Sequence, residues 1–91
     1  MFLINKLDGE IMIELGKKLR QLRKSKKYKQ QELADRVGVS RKLIIDIEAG
    51  RGTSLLVFVK VLKVFKRTNR LLEILDSSPI SPKEMYKKEN R

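Results

Sequence analysis

The sequence predicts an all-α domain of five short helices, and three observations indicate this class. Apolar residues recur at helical spacing near the start of the chain, where Ile11, Leu15, Leu19 and Leu22 form one stripe. Further on, residues 30–37 and 41–49 each carry an apolar helical face. Residues suited to helix ends, above all serine and glycine, stand between these segments.

The composition limits the chain to one small domain and excludes several classes of chemistry. With 91 residues, such a domain buries a modest core, so oligomerisation often adds stability. Cysteine and histidine are both absent. This absence excludes disulfides and thiolate metal sites, and it removes the cysteine nucleophile and the histidine base that many catalytic sites use. We therefore expect no enzyme activity, no metal and no cofactor.

The charge balance points to a polyanionic partner. The chain has 22 basic and 11 acidic residues, a net charge of +11. Nucleic acid is the simplest partner for such a charge, and an anionic membrane surface is the competing one. No apolar run approaches the length of a membrane span. The opening residues 1–4 are too few for the apolar part of a signal peptide and have no charged segment before them and no cleavage site after them. The absence of disulfides fits the cytosol, so we expect a cytoplasmic, nucleoid-associated protein.

The first helix is expected to begin at residue 9 or 10, with Asp8 as its N-cap, and to end at Lys26. Residues 1–8 would form a short apolar arm, residues 9–76 the domain and residues 77–91 a polar, basic tail. From residue 15 to residue 29 there are eight Lys or Arg residues and no acid. This run favours sequence-independent attraction to a polyanion, although many of its lysines would simply be solvated.

Residues 29–50 predict two helices joined by a tight turn. Helix 2 would run from Lys29 or Gln30 to Val37, and helix 3 from Arg41 to Ala49. Gly38 can adopt positive φ, and Ser40 is a strong N-cap. Apolar faces are predicted on both helices, formed by Leu33, Ala34 and Val37 on the first and by Ile44 and Ile47 on the second, with Gly50 closing the second helix. The basic start of helix 3 is then exposed, as a base-reading helix in the major groove requires.

Helix 4 is predicted from Leu55 to Arg67, with Ser54 as its cap. It is apolar on nearly every side, and its β-branched residues suggest a strand as the alternative. The length of the run and the spacing of its lysines favour a helix. We expect its core positions to be Leu55, Phe58, Leu62 and Phe65. A fifth helix is predicted at residues 69–76.

Residues 14–65 contain four short motifs: Leu19-x-x-Leu22-Arg23, Gln30-x-x-Leu33-Ala34, Gly38-Val39-Ser40 and Ile44-x-x-x-Glu48-x-Gly50. With these motifs and their spacing, the segment resembles the Cro/CI-type helix-turn-helix family, the XRE-like transcriptional regulators. The resemblance implies a λ-repressor-like domain that binds double-stranded DNA in a bacterium or phage. The chain departs from the family at Lys29, where a Thr N-cap is usual.

A narrower resemblance is to antitoxin-type repressors of the HipB-like group, encoded beside HipA-like kinase toxins. It rests on residues 39–48, the apolar fourth helix, Leu71–Leu75 and Ser81-Pro82. It implies a regulator of its own operon with a HipA-like toxin as protein partner. A phage-type repressor, a restriction-modification controller and a protein-interaction module without DNA binding are the alternatives.

Helix 3 supplies the expected contacts to bases. Arg41 is the first candidate, because its planar fork matches guanine O6 and N7, and Lys42 is the second. Ile45 could contact a thymine methyl group. Leu43 could meet an apolar base edge or pack inside the protein.

Contacts to DNA phosphates are expected from the residues around helices 2 and 3. The resemblance implies that Gln30 bonds a phosphate at the start of helix 2, where backbone N–H groups also favour an anion. The other candidates are Ser40, Arg51, Lys29 and Arg23. Ser40 could instead only cap helix 3. The resemblance also implies a salt bridge between Arg23 and Glu48.

A dimer is expected because the apolar surface of helices 4 and 5 exceeds what one small core can bury. The residues left for an interface are Leu56, Val57, Val59, Val64 and Leu72. A twofold dimer would read a palindrome with half-sites about 34 Å apart. The alternative is that all these residues fill the monomer core.

Overall fold

A computed structural model describes residues 7–77 of the chain. This part contains five helices and no strands: α1 (Asp8–Ser25), α2 (Gln30–Val37), α3 (Arg41–Glu48), α4 (Leu55–Val64) and α5 (Thr68–Ile74). The all-α, five-helix prediction is confirmed. The predicted arm and tail lie, but for residues 7, 8 and 77, outside the described residues.

Helix α1 begins at Asp8, one or two residues before the predicted start at residue 9 or 10. Leu7 is the N-cap and Asp8 is already helical, so the assignment of Asp8 as the cap was wrong. The backbone N–H of Leu7 donates to Glu10 Oε1 at 3.2 Å, which replaces the side-chain cap. Asp8 and Glu10 both lie in the first turn, where carboxylates stabilise the positive end of the helix.

The turn between α2 and α3 forms as the sequence predicts. Gly38 has φ +85° in the left-handed region, and its N–H donates to Ala34 O at 2.8 Å. The Ser40 hydroxyl accepts from the N–H of Leu43 at 3.2 Å and caps α3. Helix α2 begins without a side-chain cap at Lys29; instead Glu32 accepts from the N–H of Lys29 at 3.4 Å.

The core lies where α2 packs on α3 and α4, with α1 packed on α3. Leu33, Ile44 and Val61 are its largest fully buried side chains. The predicted apolar faces of α2 and α3 are confirmed, because every residue assigned to them is buried: Leu33, Ala34, Val37, Ile44 and Ile47.

The predicted core face of helix 4 was largely wrong. Leu55 is 74% exposed, and Phe58 and Leu62 are only half-buried, whereas Val61 is fully buried. Of the four predicted core residues, Phe65 is buried. Since α4 is apolar on almost every side, its hydropathy could not define which face turns inward. Its start is fixed by Ser54, whose hydroxyl accepts from the N–H of Val57 at 3.1 Å.

Helices α1 and α4 end in the same way, each with a lysine in the left-handed region. Lys66 has φ +57°, and the N–H of Arg67 donates to Leu62 O at 2.9 Å. Lys27 has φ +60°, and the N–H of Tyr28 donates to Arg23 O at 3.2 Å. These bonds are those of a Schellman motif, in which glycine is the usual residue. They end α4 at Val64, three residues before the predicted Arg67.

Close packing of α1 against the end of α3 fixes the position of α3. A Cβ at Gly16 would lie 2.5 Å from Glu48 O and 2.6 Å from Ile47 O. At Gly50, which has φ +83°, a Cβ would lie 2.8 Å from Ile13 Cα. Two glycines therefore let the backbone of α1 lie directly against α3 and the turn after it.

Candidate nucleic-acid interface

Helix α3 presents three of the four predicted base-contact residues to solvent. Arg41 and Lys42 are exposed and Ile45 is half-buried, whereas Ile44 and Ile47 on the opposite side are buried. Leu43 is half-buried and packs against the core, the second of its two predicted roles. The face defined by Arg41, Lys42, Ile45 and Asp46 is named here the outward face of α3.

A carboxylate lies on this outward face and pairs with two cations. Asp46 Oδ2 is 3.0 Å from Lys42 Nζ, and Asp46 Oδ1 accepts from Arg51 Nη1 at 2.8 Å. The hydrogen bond from Lys42, the hydrogen bond from Arg51 and both positive charges lower the pKa of Asp46, although desolvation acts in the opposite direction. Asp46 was not predicted as a site residue, although its spacing of four from Lys42 is that of a helical ion pair.

The predicted salt bridge between Arg23 and Glu48 is confirmed and joins α1 to the end of α3. Arg23 Nε donates to Glu48 Oε2 at 2.6 Å and Arg23 Nη2 to Glu48 Oε1 at 3.1 Å. Both side chains are nearly inaccessible, at 9% and 4% exposure. Arg23 Nη1 also donates to Tyr28 O at 2.8 Å, so the guanidinium ties the end of α1 to α3.

Gln30 joins the same network. Its Nε2 donates to Glu48 Oε1 at 3.2 Å, which holds the start of α2 against the end of α3. The amide of Gln30 has its oxygen left as an acceptor and a second N–H left as a donor. Its predicted phosphate contact stays a prediction, and so does that of Arg23, whose guanidinium is already committed to three hydrogen bonds.

A basic recess opens beside this network, between α1, the start of α2 and the tip of α3. It is lined by Arg20, Arg23, Lys29, Gln30, Gln31 and Arg41. None of these six residues is acidic, and three of them, Lys29, Gln30 and Gln31, stand at the start of α2. Such a surface fits a phosphate group. Arg20 and Gln31 were not predicted as site residues, although Arg20 belongs to the basic run of residues 15–29.

The remaining predicted phosphate contacts are exposed but differ in their partners. Lys29 lines the recess, Ser40 caps α3 and Arg51 pairs with Asp46. The cap does not prevent Ser40 from accepting or donating elsewhere, since a hydroxyl has one donor and two acceptor positions. The structure thus brings Lys29, Gln30 and Arg41 together at the recess, and it joins Arg51 and Lys42 through their shared partner Asp46.

The predicted interface residues divide into two groups. Leu56 is 64% exposed and Leu72 is 61% exposed. Residues of a dimer interface are expected to be exposed in this way in a single protomer. Val57 and Val64 are half-buried and pack against the core, as expected if these residues fill the core of the monomer. Val59 is also half-buried. Three further exposed residues of α4 and the α5 region were not predicted: Leu55, Ile74 and Leu75.

Residues 7–77 contain no cluster of acidic side chains arranged to hold a metal ion. In the same range no helix is both long enough and apolar enough to cross a bilayer.

Comparison with known proteins identifies the family. The family model described as helix-turn-helix matches residues 19–68, more than half of the chain. Those residues run from the middle of α1 to the first residue of α5 and include the Arg23–Glu48 pair and the whole outward face of α3. No curated protein matches the chain. The chain therefore belongs to the XRE-type helix-turn-helix family of DNA-binding transcriptional regulators.

Proposed function

We propose that the protein is a sequence-specific repressor that binds a palindromic double-stranded DNA operator as a homodimer. The observation that carries this proposal is the outward face of α3. Its Arg41 and Lys42 stand at the helix start, exposed, on a helix held by the buried Arg23–Glu48 pair. In helix-turn-helix proteins it is the first residues of the second helix that contact base edges.

The two basic regions around α3 fit the division between phosphate and base contacts. The recess beside Arg41 suits the sugar–phosphate backbone, which fixes the register of a protein on the duplex. Arg41 can then donate two hydrogen bonds to guanine, and Ile45 can contact a thymine methyl group. The net charge of +11 supports the long-range attraction that precedes such contacts.

Selection from a random duplex library tests the proposal and identifies the operator in the same experiment. We expect enriched DNA to carry two inverted half-sites separated by about 34 Å, one helical turn, or by a multiple of it. Replacing Arg41 by Ala and Lys42 by Ala should each weaken binding to that DNA by about 1–3 kcal/mol for a specific contact. Lys60→Ala and Lys63→Ala on α4 are the charge-matched controls. A library without any enriched sequence contradicts the proposal.

The homodimer is supported by exposed apolar residues on α4 and in the α5 region. Leu55, Leu56, Leu72, Ile74 and Leu75 are 61–77% exposed within residues 7–77. Apolar side chains in such number are typical of an interface. Sedimentation of the wild type should give a dimer, and Leu72→Lys with Leu75→Lys should give a folded monomer with weaker DNA binding. A wild-type monomer at every concentration would exclude the twofold arrangement.

The narrower assignment, an autoregulating antitoxin with a HipA-like kinase toxin as partner, rests on the resemblance of residues 39–48, the apolar fourth helix, residues 71–75 and Ser81-Pro82. A cytoplasmic, nucleoid-associated location is proposed with it, because the chain has no cysteine and its function is to bind DNA. Its test is a reporter fused to the DNA upstream of the protein's own gene. Repression of that reporter, together with co-purification of the neighbouring gene product, supports it. A reporter that the protein does not affect contradicts autoregulation, and the identity of the neighbouring gene separates an antitoxin from a phage-type repressor or a restriction controller.

A further inference from the structure

We propose that Asp46 sets how strongly the protein prefers its operator over other DNA, by holding Lys42 and Arg51 until acceptors on a matching duplex replace its carboxylate. This inference rests on the proposed function. It concerns a residue that none of the expected DNA contacts includes, and it assigns that residue a positioning role.

The geometry places Asp46 between two parts of the site. Lys42 belongs to the first turn of α3 and Arg51 to the loop after it, and each carboxylate oxygen of Asp46 holds one of these cations, at 3.0 Å and 2.8 Å. The side chain of Asp46 is 22% exposed, whereas those of Lys42 and Arg51 are 84% and 63% exposed. The carboxylate is therefore the more buried partner, and the two cations are the partners that can extend toward a ligand.

Asp46 also lies on the side of α3 that a duplex would approach. It is one turn after Lys42 and next to Ile45, on the helix side opposite the buried Ile44. A carboxylate in this position repels phosphate groups at short range and satisfies the nearest cations internally. On a non-matching duplex, phosphates are the only acceptors within reach, and Lys42 and Arg51 must leave Asp46 to bind them, so the carboxylate weakens non-specific binding.

On the matching sequence the exchange becomes favourable. Base edges at fixed positions supply acceptors to Lys42 in the groove while Arg51 reaches the backbone, and Asp46 is left with part of its hydrogen bonding replaced by water. The Asp46 carboxylate thus weakens binding to every duplex, and only the operator offers base contacts that offset this loss of affinity. Specificity is a difference of two affinities, and a repulsive element enlarges that difference.

The experiment compares Asp46→Asn with Glu14→Gln. Both changes remove one negative charge and keep the side-chain shape; Glu14 lies on α1, with its oxygen 3.9 Å from Lys17. Binding of each full-length variant to the selected operator and to a scrambled duplex is measured by fluorescence anisotropy at several salt concentrations. Thermal melts followed by circular dichroism establish that both variants fold.

We expect Asp46→Asn to lower the ratio of the two affinities about tenfold, mainly by tightening binding to the scrambled duplex. The slope of log K against log salt for that duplex should become steeper by about one to two per protomer, as two cations are freed. Glu14→Gln should raise both affinities by the same factor. Asp46→Glu, which keeps the charge, should stay within about twofold of the wild-type ratio.

Two outcomes overturn the inference while leaving the proposed function intact. If Asp46→Asn changes both affinities by the same factor as Glu14→Gln, the carboxylate contributes only net charge. If it weakens operator binding without tightening binding to the scrambled duplex, Asp46 contacts a base itself, since a carboxylate can accept from cytosine N4. A wild-type protein with no preference for any duplex overturns the proposed function, and this inference with it.

Discussion

Arg23 Nε lies 2.6 Å from Glu48 Oε2, and this pair joins the end of α1 to the last residue of α3 in a nearly dry environment. Each partner is satisfied further, Arg23 by the carbonyl of Tyr28 and Glu48 by the amide of Gln30. Three helices, α1, α2 and α3, therefore meet at the carboxylate of Glu48, and the carbonyl of Tyr28 joins this network through Arg23. This network holds the end of α3 against α1 and α2, and so sets the position of the outward face of α3 on the domain.

Removing one partner of this pair should destabilise the domain strongly. Glu48→Ala leaves the Arg23 guanidinium buried without a counterion, which typically costs about 3–5 kcal/mol of unfolding free energy. Chemical denaturation of Glu48→Ala, Arg23→Ala and the double variant measures this cost and the coupling. The double variant should lose clearly less than the sum of the two single losses. Strict additivity would show that the pair does not act as a unit.

The exposed pair of Glu14 and Lys17 is the control for that cycle. Its atoms are 3.9 Å apart and its side chains are 37% and 64% exposed. Because solvent screens such a pair, Glu14→Ala should change stability by less than about 1 kcal/mol.

Gly16→Ala should weaken both folding and DNA binding. The added methyl would lie 2.5 Å from the carbonyl oxygen of Glu48, which is backbone and cannot move aside without shifting α3. Overpacking of this kind costs about 1–3 kcal/mol. Gly9→Ala in the same helix is the matched control, because nothing lies within 4 Å of its Cβ position. Thermal melts should show Gly9→Ala at or above wild-type stability, and equal losses in both variants would contradict the close approach of α1 to α3.

Replacing Lys27 or Lys66 by Gly should stabilise the protein. Both lysines have positive φ, which costs a residue with a Cβ roughly 1 kcal/mol that glycine avoids. Part of this gain is offset by the greater freedom of glycine in the unfolded chain. Lys24→Gly, inside α1, should instead lose about 1 kcal/mol. Urea midpoints that fall for all three variants would contradict the Schellman geometry.

The carboxyl of Asp46 should titrate below the usual value for aspartate, about 3.9 in unfolded chains. Hydrogen bonds from Lys42 and Arg51 and their charges lower its pKa in the folded protein. Its contribution to stability is therefore present above about pH 3.9 and is lost as the pH falls through the lower folded-state pKa. The carboxyl ¹³C shift followed by NMR gives the midpoint. Lys42→Met should raise that midpoint, and an unchanged midpoint would show that the Lys42–Asp46 bond is absent in solution.

The sequence predicts the central part of the fold well because its signals there are local. Gly38 and Ser40 fix the turn through φ and a cap, and Leu33 and Ile44 mark the buried faces through their spacing. The core face of α4 depends on tertiary contact instead, because an almost wholly apolar helix has no polar side to orient it. Its early end depends on Lys66, a residue type that does not signal a left-handed conformation.

In the candidate site too, the features with a local sequence signal are predictable and the others are not. Exposed cations at the start of α3 follow from the helix boundaries, and the Arg23–Glu48 pair follows from the resemblance to the family. Asp46 was not predicted as a site residue, because residues that face DNA are expected to be basic or neutral and not acidic. The spacing of four between Lys42 and Asp46 is the signal that could have found it.

Base discrimination by Arg41 is the decisive measurement for DNA reading by α3. The affinities of wild type and Arg41→Ala are measured for the selected operator and for every single base-pair substitution of one half-site. We expect Arg41→Ala to lose discrimination at one guanine-containing position, by about 1–3 kcal/mol, and to keep it at the others. A uniform loss of affinity at all positions would contradict base reading by the tip of α3.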